Sequence, residues 1–174
     1  MRPCMAGIVA FVMTASPIWC QEAWNVVEGP DKSFRVRGPG KPTLEKQSLR
    51  VAGMEITVYS YLFVQVPYAF ILGYGDYPAD YIAKRKVEEL LNLDRDRFLK
   101  NTGTKLVADK NTVYQGKPAL EFVAHSDDKK SVFQARLVLV GQRLYVLAVS
   151  FPVDADAKPV NRFLDSLELL DAKK

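Results

Sequence analysis

The chain contains one histidine, His125, and two cysteines, Cys4 and Cys20. A zinc site built on two imidazoles, or an HExxH helix, needs a second histidine and is therefore ruled out. A Ser-His-Asp arrangement would have to combine His125 with Ser126 or Ser131, and no glycine-flanked nucleophile elbow surrounds either serine. A histidine that closes an apolar run just before Asp127 and Asp128 reads as a strand end entering a surface turn. Asp94 and Asp96 have the spacing of calcium ligands, but the loop glycine and the distal glutamate are missing, and Arg95 and Arg97 alternate with them. That pattern reads as a solvated helix face. Gly38-x-Gly40 and Gly73-x-Gly75 lack the third glycine of a dinucleotide loop, and neither Gly40-Lys41 nor Gly116-Lys117 completes a phosphate loop, so these glycines read as turns. Asp76 and Asp80 leave a carboxylate-dependent hydrolase as an alternative. No catalytic residue, metal ligand or cofactor-binding residue is assigned, and no cofactor is expected.

The density of aromatic residues between Tyr59 and Tyr81 is the most unusual chemical feature. Tyrosine joins a large apolar body to a polar tip, so a cluster can serve a sugar, a small ligand or a protein partner. Tyr59, Tyr61, Tyr74 and Tyr77 form the candidate surface, with strand packing as the competing reading. A two-residue period assigns Met54, Ile56, Val58 and Leu62 to the core and Glu55, Thr57, Tyr59 and Tyr61 to the opposite face. The tyrosines are a binding patch only if nothing covers that second face.

The elements that must position these residues follow from periodicity and punctuation. After a polar lead-in carrying Trp24, a strand starts at Phe34 and Val36 and ends at Gly38 to Pro42. Leu44 to Val51 and Met54 to Leu62 form a hairpin around Ala52-Gly53, which pairs Leu49 with Ile56, Arg50 with Glu55 and Val51 with Met54. Tyr68 to Gly75 is a further strand. A helix runs from about Val87 to Asn101, with Gly103 as its stop. Four strands follow, Lys105 to Tyr114, Ala119 to His125, Val132 to Val140 and Arg143 to Phe151, the last two joined by a tight turn at Gly141-Gln142. A short helix near Pro159 to Leu164 and a strand at Leu167 to Leu170 close the chain. Strands, helix, strands and helix in that order predict an α+β domain, an antiparallel sheet of about six to eight strands with two main helices packed on it.

Residues 1–20 have the parts of a secretory signal peptide: Arg2, an apolar stretch from Ala6 to Met13, and a smaller, more polar end. The stretch is interrupted by Thr14, Ser16 and Pro17 and falls short of the roughly 20 apolar residues of a membrane-spanning helix. Cleavage after Cys20 removes both cysteines and leaves residues 21–174 as a single domain without thiol chemistry or disulfides. A domain of that size buries roughly 70% of its unfolded surface, enough to hold without covalent links. The expected location is exported, periplasmic or extracellular, without stable membrane insertion. The precursor carries 24 basic and 20 acidic side chains with the signs interspersed, so no basic stripe marks a nucleic-acid partner.

Trp24, Phe34-Arg-Val36 and Pro39-Gly40-Lys-Pro42 at the start, with Arg143-Leu-Tyr-Val-Leu and Phe163-Leu-Asp-Ser-Leu-Glu-Leu169 at the end, resemble small exported bacterial proteins of the PsbP-like superfamily. The resemblance spans most of the chain after the leader. It implies an α/β/α sandwich around an antiparallel sheet. It also implies a non-enzymatic role through protein-protein contact, here with an unknown protein partner in the cell envelope. No catalytic residue is carried across. The chain departs from photosynthetic members in having one tryptophan after the leader and no metal-site histidines.

Overall fold

The computed structural model describes residues 24–51 and 53–170. The leader, its cysteines and its cleavage point lie outside the described residues. Ten strands and three helices alternate in the order β1 Trp24–Glu28, β2 Phe34–Pro39, β3 Thr43–Val51, β4 Met54–Gln65, β5 Tyr68–Asp76, α1 Ala79–Ala83, α2 Val87–Thr102, β6 Lys105–Tyr114, β7 Lys117–His125, β8 Ser131–Val140, β9 Arg143–Pro152, α3 Lys158–Leu164 and β10 Glu168–Leu169. Seven strands form an antiparallel sheet in the order β3-β4-β5-β9-β8-β7-β6, and β1-β2-β10 form a second, small sheet. The α+β architecture is the expected one.

The hairpin registers follow from local chemistry. β3 and β4 pair Leu49 with Ile56, Arg50 with Glu55 and Val51 with Met54, as the alternation requires. β8 and β9 pair Val140 with Arg143 across a turn in which Gly141 has φ 61°. α2 ends at Gly103, φ 63°, whose amide donates to the carbonyls of Leu99 and Lys100, the left-handed stop that glycine permits. Two elements lack a sequence signal: β1, whose side chains are mostly exposed, and the five-residue α1.

Each face of the large sheet carries a cover, which on the α2 side is only partial. On one face α2 lies over β6, β7 and β8. Leu90 and Leu91 of α2 join Leu120, Phe122, Ala135, Leu137 and Leu144 in one core layer, which extends to Val51, Ile56, Tyr77 and Tyr81. The opposite face is capped by β2 and α3, whose Phe34, Val36, Val160, Phe163 and Leu164 close over Tyr61, Phe63, Phe70, Leu72, Tyr74, Tyr145, Leu147 and Val149. The hairpin β8-β9 is consequently buried on both sides, with Val138 and Tyr145 as inaccessible as Leu137 and Leu139. Met54, expected in the core, stands at the end of β4 beyond this cover and is exposed.

Candidate functional site

The tyrosines separate onto different sides of the sheet. Tyr59, Tyr61 and Tyr74 share the face toward β2: Tyr59 and Tyr74 stack with centroids 5.2 Å apart, and Phe34 meets Tyr74 at 5.1 Å and Tyr61 at 6.2 Å. Tyr77 belongs to the other side, where it stacks on Tyr81 at 5.4 Å. Tyr61 is 8% exposed, Tyr74 4% and Tyr77 5%, so three of the four candidate residues are core. Tyr59 alone is half-buried. Burial raises the phenol pKa values of Tyr61, Tyr74 and Tyr77, as expected for rings withdrawn from water. The face is covered by a small sheet that the sequence does not mark as a separate layer, and of the two readings of the tyrosines, candidate surface and strand packing, the burial favours packing.

The carboxylates proposed for hydrolysis are engaged or solvated. Arg143 donates from Nε and Nη2 to the two oxygens of Asp76 at 2.6 and 2.7 Å, and from Nη1 to Asp31 and to Ser33 Oγ. These hydrogen bonds, first those with Asp76, raise the arginine's pKa further. Burial alone would raise the Asp31 carboxyl, but the hydrogen bonds from Arg143 and Ser33 outweigh it and hold the group below its ordinary range. Asp80 is exposed in the first turn of α1 and shares no hydrogen bond with Asp76. Ser126, the possible partner of His125, turns its hydroxyl to Asp128 and Ser131 instead. Among the described residues no group of three or more His, Cys, Asp or Glu side chains has metal-binding geometry.

Asp94 also departs from its expected role. Its side chain is only 10% exposed, and it accepts from Tyr77 Oη and from Arg97 Nη1, both at 2.5 Å. Burial raises its pKa against the opposing pull of these donors. Asp96 remains exposed, so the two acidic residues of the supposed calcium pair have unlike surroundings.

This Tyr77-Asp94-Arg97 cluster forms one lip of an apolar cleft of about 250 Å³. α2 reaches only the β6 to β8 side of the sheet, and the same face continues uncovered over β4, β5 and β9. Leu49, Val58, Ile71 and Val146 stand half-buried there, with Phe98 and Asn101 of α2 on the facing wall. The floor is lowered by Gly73 and Gly75. Their spacing of two places both on one sheet face, where Gly73 lies between Ser60 and Val146 and Gly75 between Val58 and Leu144. The expectation of a turn at Gly73 is corrected: it is the middle of a strand, and the pair forms a trough. Its sequence signal is a glycine-x-glycine inside an apolar strand, a pattern that marks close approach of another group.

No protein-family profile matches the sequence, and no curated protein matches it. Among solved structures, the solution structure of cyanobacterial PsbP (CyanoP) from Synechocystis sp. PCC 6803 superposes with a TM-score of 0.61 at 10% identity, covering 91% of this chain and 99% of that one. The chain has a PsbP-like fold. Weaker likenesses are found to a Bacteroides thetaiotaomicron protein (TM-score 0.38, 12% identity, 87% of this chain and 50% of the other) and to PA94, a protein of unknown function from Pseudomonas aeruginosa (TM-score 0.31, 11% identity, 75% and 83%). The superposition takes in 91% of this chain, so the resemblance first carried by the terminal motifs extends to the fold. No helix among the described residues is long and apolar enough to cross a membrane.

Proposed function

We propose that this chain is an exported, non-enzymatic PsbP-like domain that recognises a protein partner of the cell envelope through the cleft beside α2. The observation that carries this reading is the uncovered apolar floor: Val58, Ile71 and Val146 gather around a glycine trough on a face that the domain's own helix leaves open. Apolar surface left concave and accessible favours association, because a partner that fills it removes that surface from water. The polar clusters of the domain support the same reading from the other direction. Arg143 is paired with Asp31 and Asp76, and Arg97 with Asp94, so these charged groups are engaged with one another within the fold.

The test is capture from envelope extracts with the wild-type domain and with Val146→Arg, which places a charge in the cleft. Capture of a defined set of proteins should be lost with Val146→Arg and kept with Val66→Arg, a change at the exposed tip of the β4-β5 hairpin. Equal capture by both variants, with folding verified by circular dichroism, would overturn the assignment of the cleft.

A further inference from the structure

We infer that the cleft takes a single uncharged aromatic side chain of a partner protein, with a tyrosine ring as the best match; this deepens the reading above and rests on it. Gly73 lies in the interior of β5. Its φ is not positive, and a β-carbon added there would meet Ser60 Oγ at 3.7 Å, Val146 Cβ at 3.8 Å and the Tyr59 carbonyl at 3.9 Å, all ordinary contacts. Neither backbone conformation nor crowding therefore demands glycine, although glycine in a strand interior is less stabilising than alanine. Gly75 differs, since a β-carbon there would approach the Thr57 carbonyl to 3.0 Å. What glycine at 73 does supply is depth, an unfilled position between Ser60 and Val146 in the middle of an apolar floor.

Volume and charge narrow the occupant. An apolar cavity of about 150 Å³ accommodates benzene, whereas pockets for drug-sized ligands run from roughly 300 to 1,000 Å³. The cleft, at about 250 Å³, fits one substituted ring. Its lining offers no unpaired charge: Asp94 and Arg97 on the lip neutralise each other, so a charged occupant would be desolvated without a partner. Two neutral polar side chains line the cleft, the Ser60 hydroxyl on the floor and the exposed Asn101 amide at the α2 lip. They can each bond a phenolic hydroxyl. The cleft is also half open, with Ile71 and Val146 partly in water, while sites for free small molecules bury about 70–90% of their ligand. A side chain whose backbone stays outside suits that shape, and rings of this kind are the usual anchors of protein interfaces.

The experiment has two arms. In the first, methyl NMR of the isolated domain follows titration with p-cresol, toluene and 4-methylbenzoate. Saturable shifts are expected at Val58, Ile71 and Val146 with p-cresol, weaker binding with toluene, and none with the charged benzoate. Binding should fall by about tenfold in Gly73→Val, which fills the trough. If that variant does not fold, Ser60→Leu fills it from the neighbouring strand, and the wild-type shift map alone still locates the ligand. In the second arm, a displayed peptide library is selected on the wild-type domain. Enriched peptides should carry tyrosine or phenylalanine and should lose binding to the filled variant.

Absence of saturable shifts, shifts located elsewhere, or equal affinity for the benzoate would overturn the inference. Ring binding without any cleft-dependent peptide would overturn the protein source and indicate a free small ligand. If neither arm gives binding but envelope capture still depends on Val146, the aromatic anchor falls while the cleft remains the recognition surface. If ring binding holds but capture ignores Val146→Arg, the functional reading is the one that falls.

Discussion

Two aspartates illustrate how the fold sets the behaviour of residues that look alike in sequence. Asp31 has a pKa below the ordinary 3.8, so it contributes stability above that value and loses the contribution as pH falls through its lower folded value. Asp94 has a pKa above 3.8, so its contribution is present below that value and is lost as pH rises through its higher folded value. Asp31→Asn should therefore lower the urea midpoint at neutral pH, with the difference from wild type closing in acid. Its side chain is 45% exposed, so screening keeps the effect below about 1 kcal/mol. Asp94→Asn should show the opposite trend, gaining on wild type as pH rises from acid toward neutral. Urea midpoints measured across a pH series check both signs, and parallel curves for the two variants would refute the assignments. The sequence places Asp94 on a solvated helix face because helical spacing gives only its local neighbours. Its burial depends on Tyr77, which precedes it by 17 residues and meets it only when β5 and α2 are folded together.

At the scale of elements, the hairpins were legible because a turn and an alternating pattern specify register together. β3-β4 and β8-β9 have the expected partners residue for residue. β1 and α1 were not legible: Trp24–Glu28 has no buried residue to set a period, and Ala79–Ala83 is too short for a helical stripe. The trough was hidden for a related reason, since the same glycine-x-glycine spacing fits a turn or a strand, and only the pairing of β5 with β4 and β9 decides between them. A pair of substitutions separates the two kinds of glycine. At Gly141, φ is 61° and an added β-carbon meets nothing within 4 Å, so Gly141→Val is penalised by backbone conformation alone, by roughly 1–2 kcal/mol. At Gly73, an ordinary φ and adequate room should make Gly73→Ala neutral or stabilising by about 0.4–1 kcal/mol. Chemical denaturation of both variants checks the contrast, and equal destabilisation would remove the basis for treating Gly73 as retained for depth.

The whole molecule depends on an aromatic layer that the alternation of β4 alone cannot reveal. From sequence, Tyr59 and Tyr61 lie opposite the core; Tyr61 becomes core, and Tyr59 half-buried against it, only because β2 and α3 return from the two ends of the chain to cover that face. Phe34 is central to that closure. It is fully buried and packs against Tyr61, Tyr74 and Tyr145, linking the small sheet to β4, β5 and β9. Truncation to alanine leaves a ring-sized void among side chains fixed on two sheets, which have little freedom to collapse into it, so Phe34→Ala should cost about 3–5 kcal/mol. The location of the damage is also testable. Trp24, the one tryptophan among the described residues, sits in β1 with its ring 5.6 Å from Phe70 and 6.5 Å from Phe163, and so reports on the seating of the small sheet. In Phe34→Ala its fluorescence should change at a lower urea concentration than the circular dichroism of the seven-stranded sheet, whereas in wild type the two transitions should coincide. Coincident transitions in the variant would mean that the β1-β2-β10 cap and the large sheet unfold as one unit, and that the aromatic layer is a shared core with no separable seam.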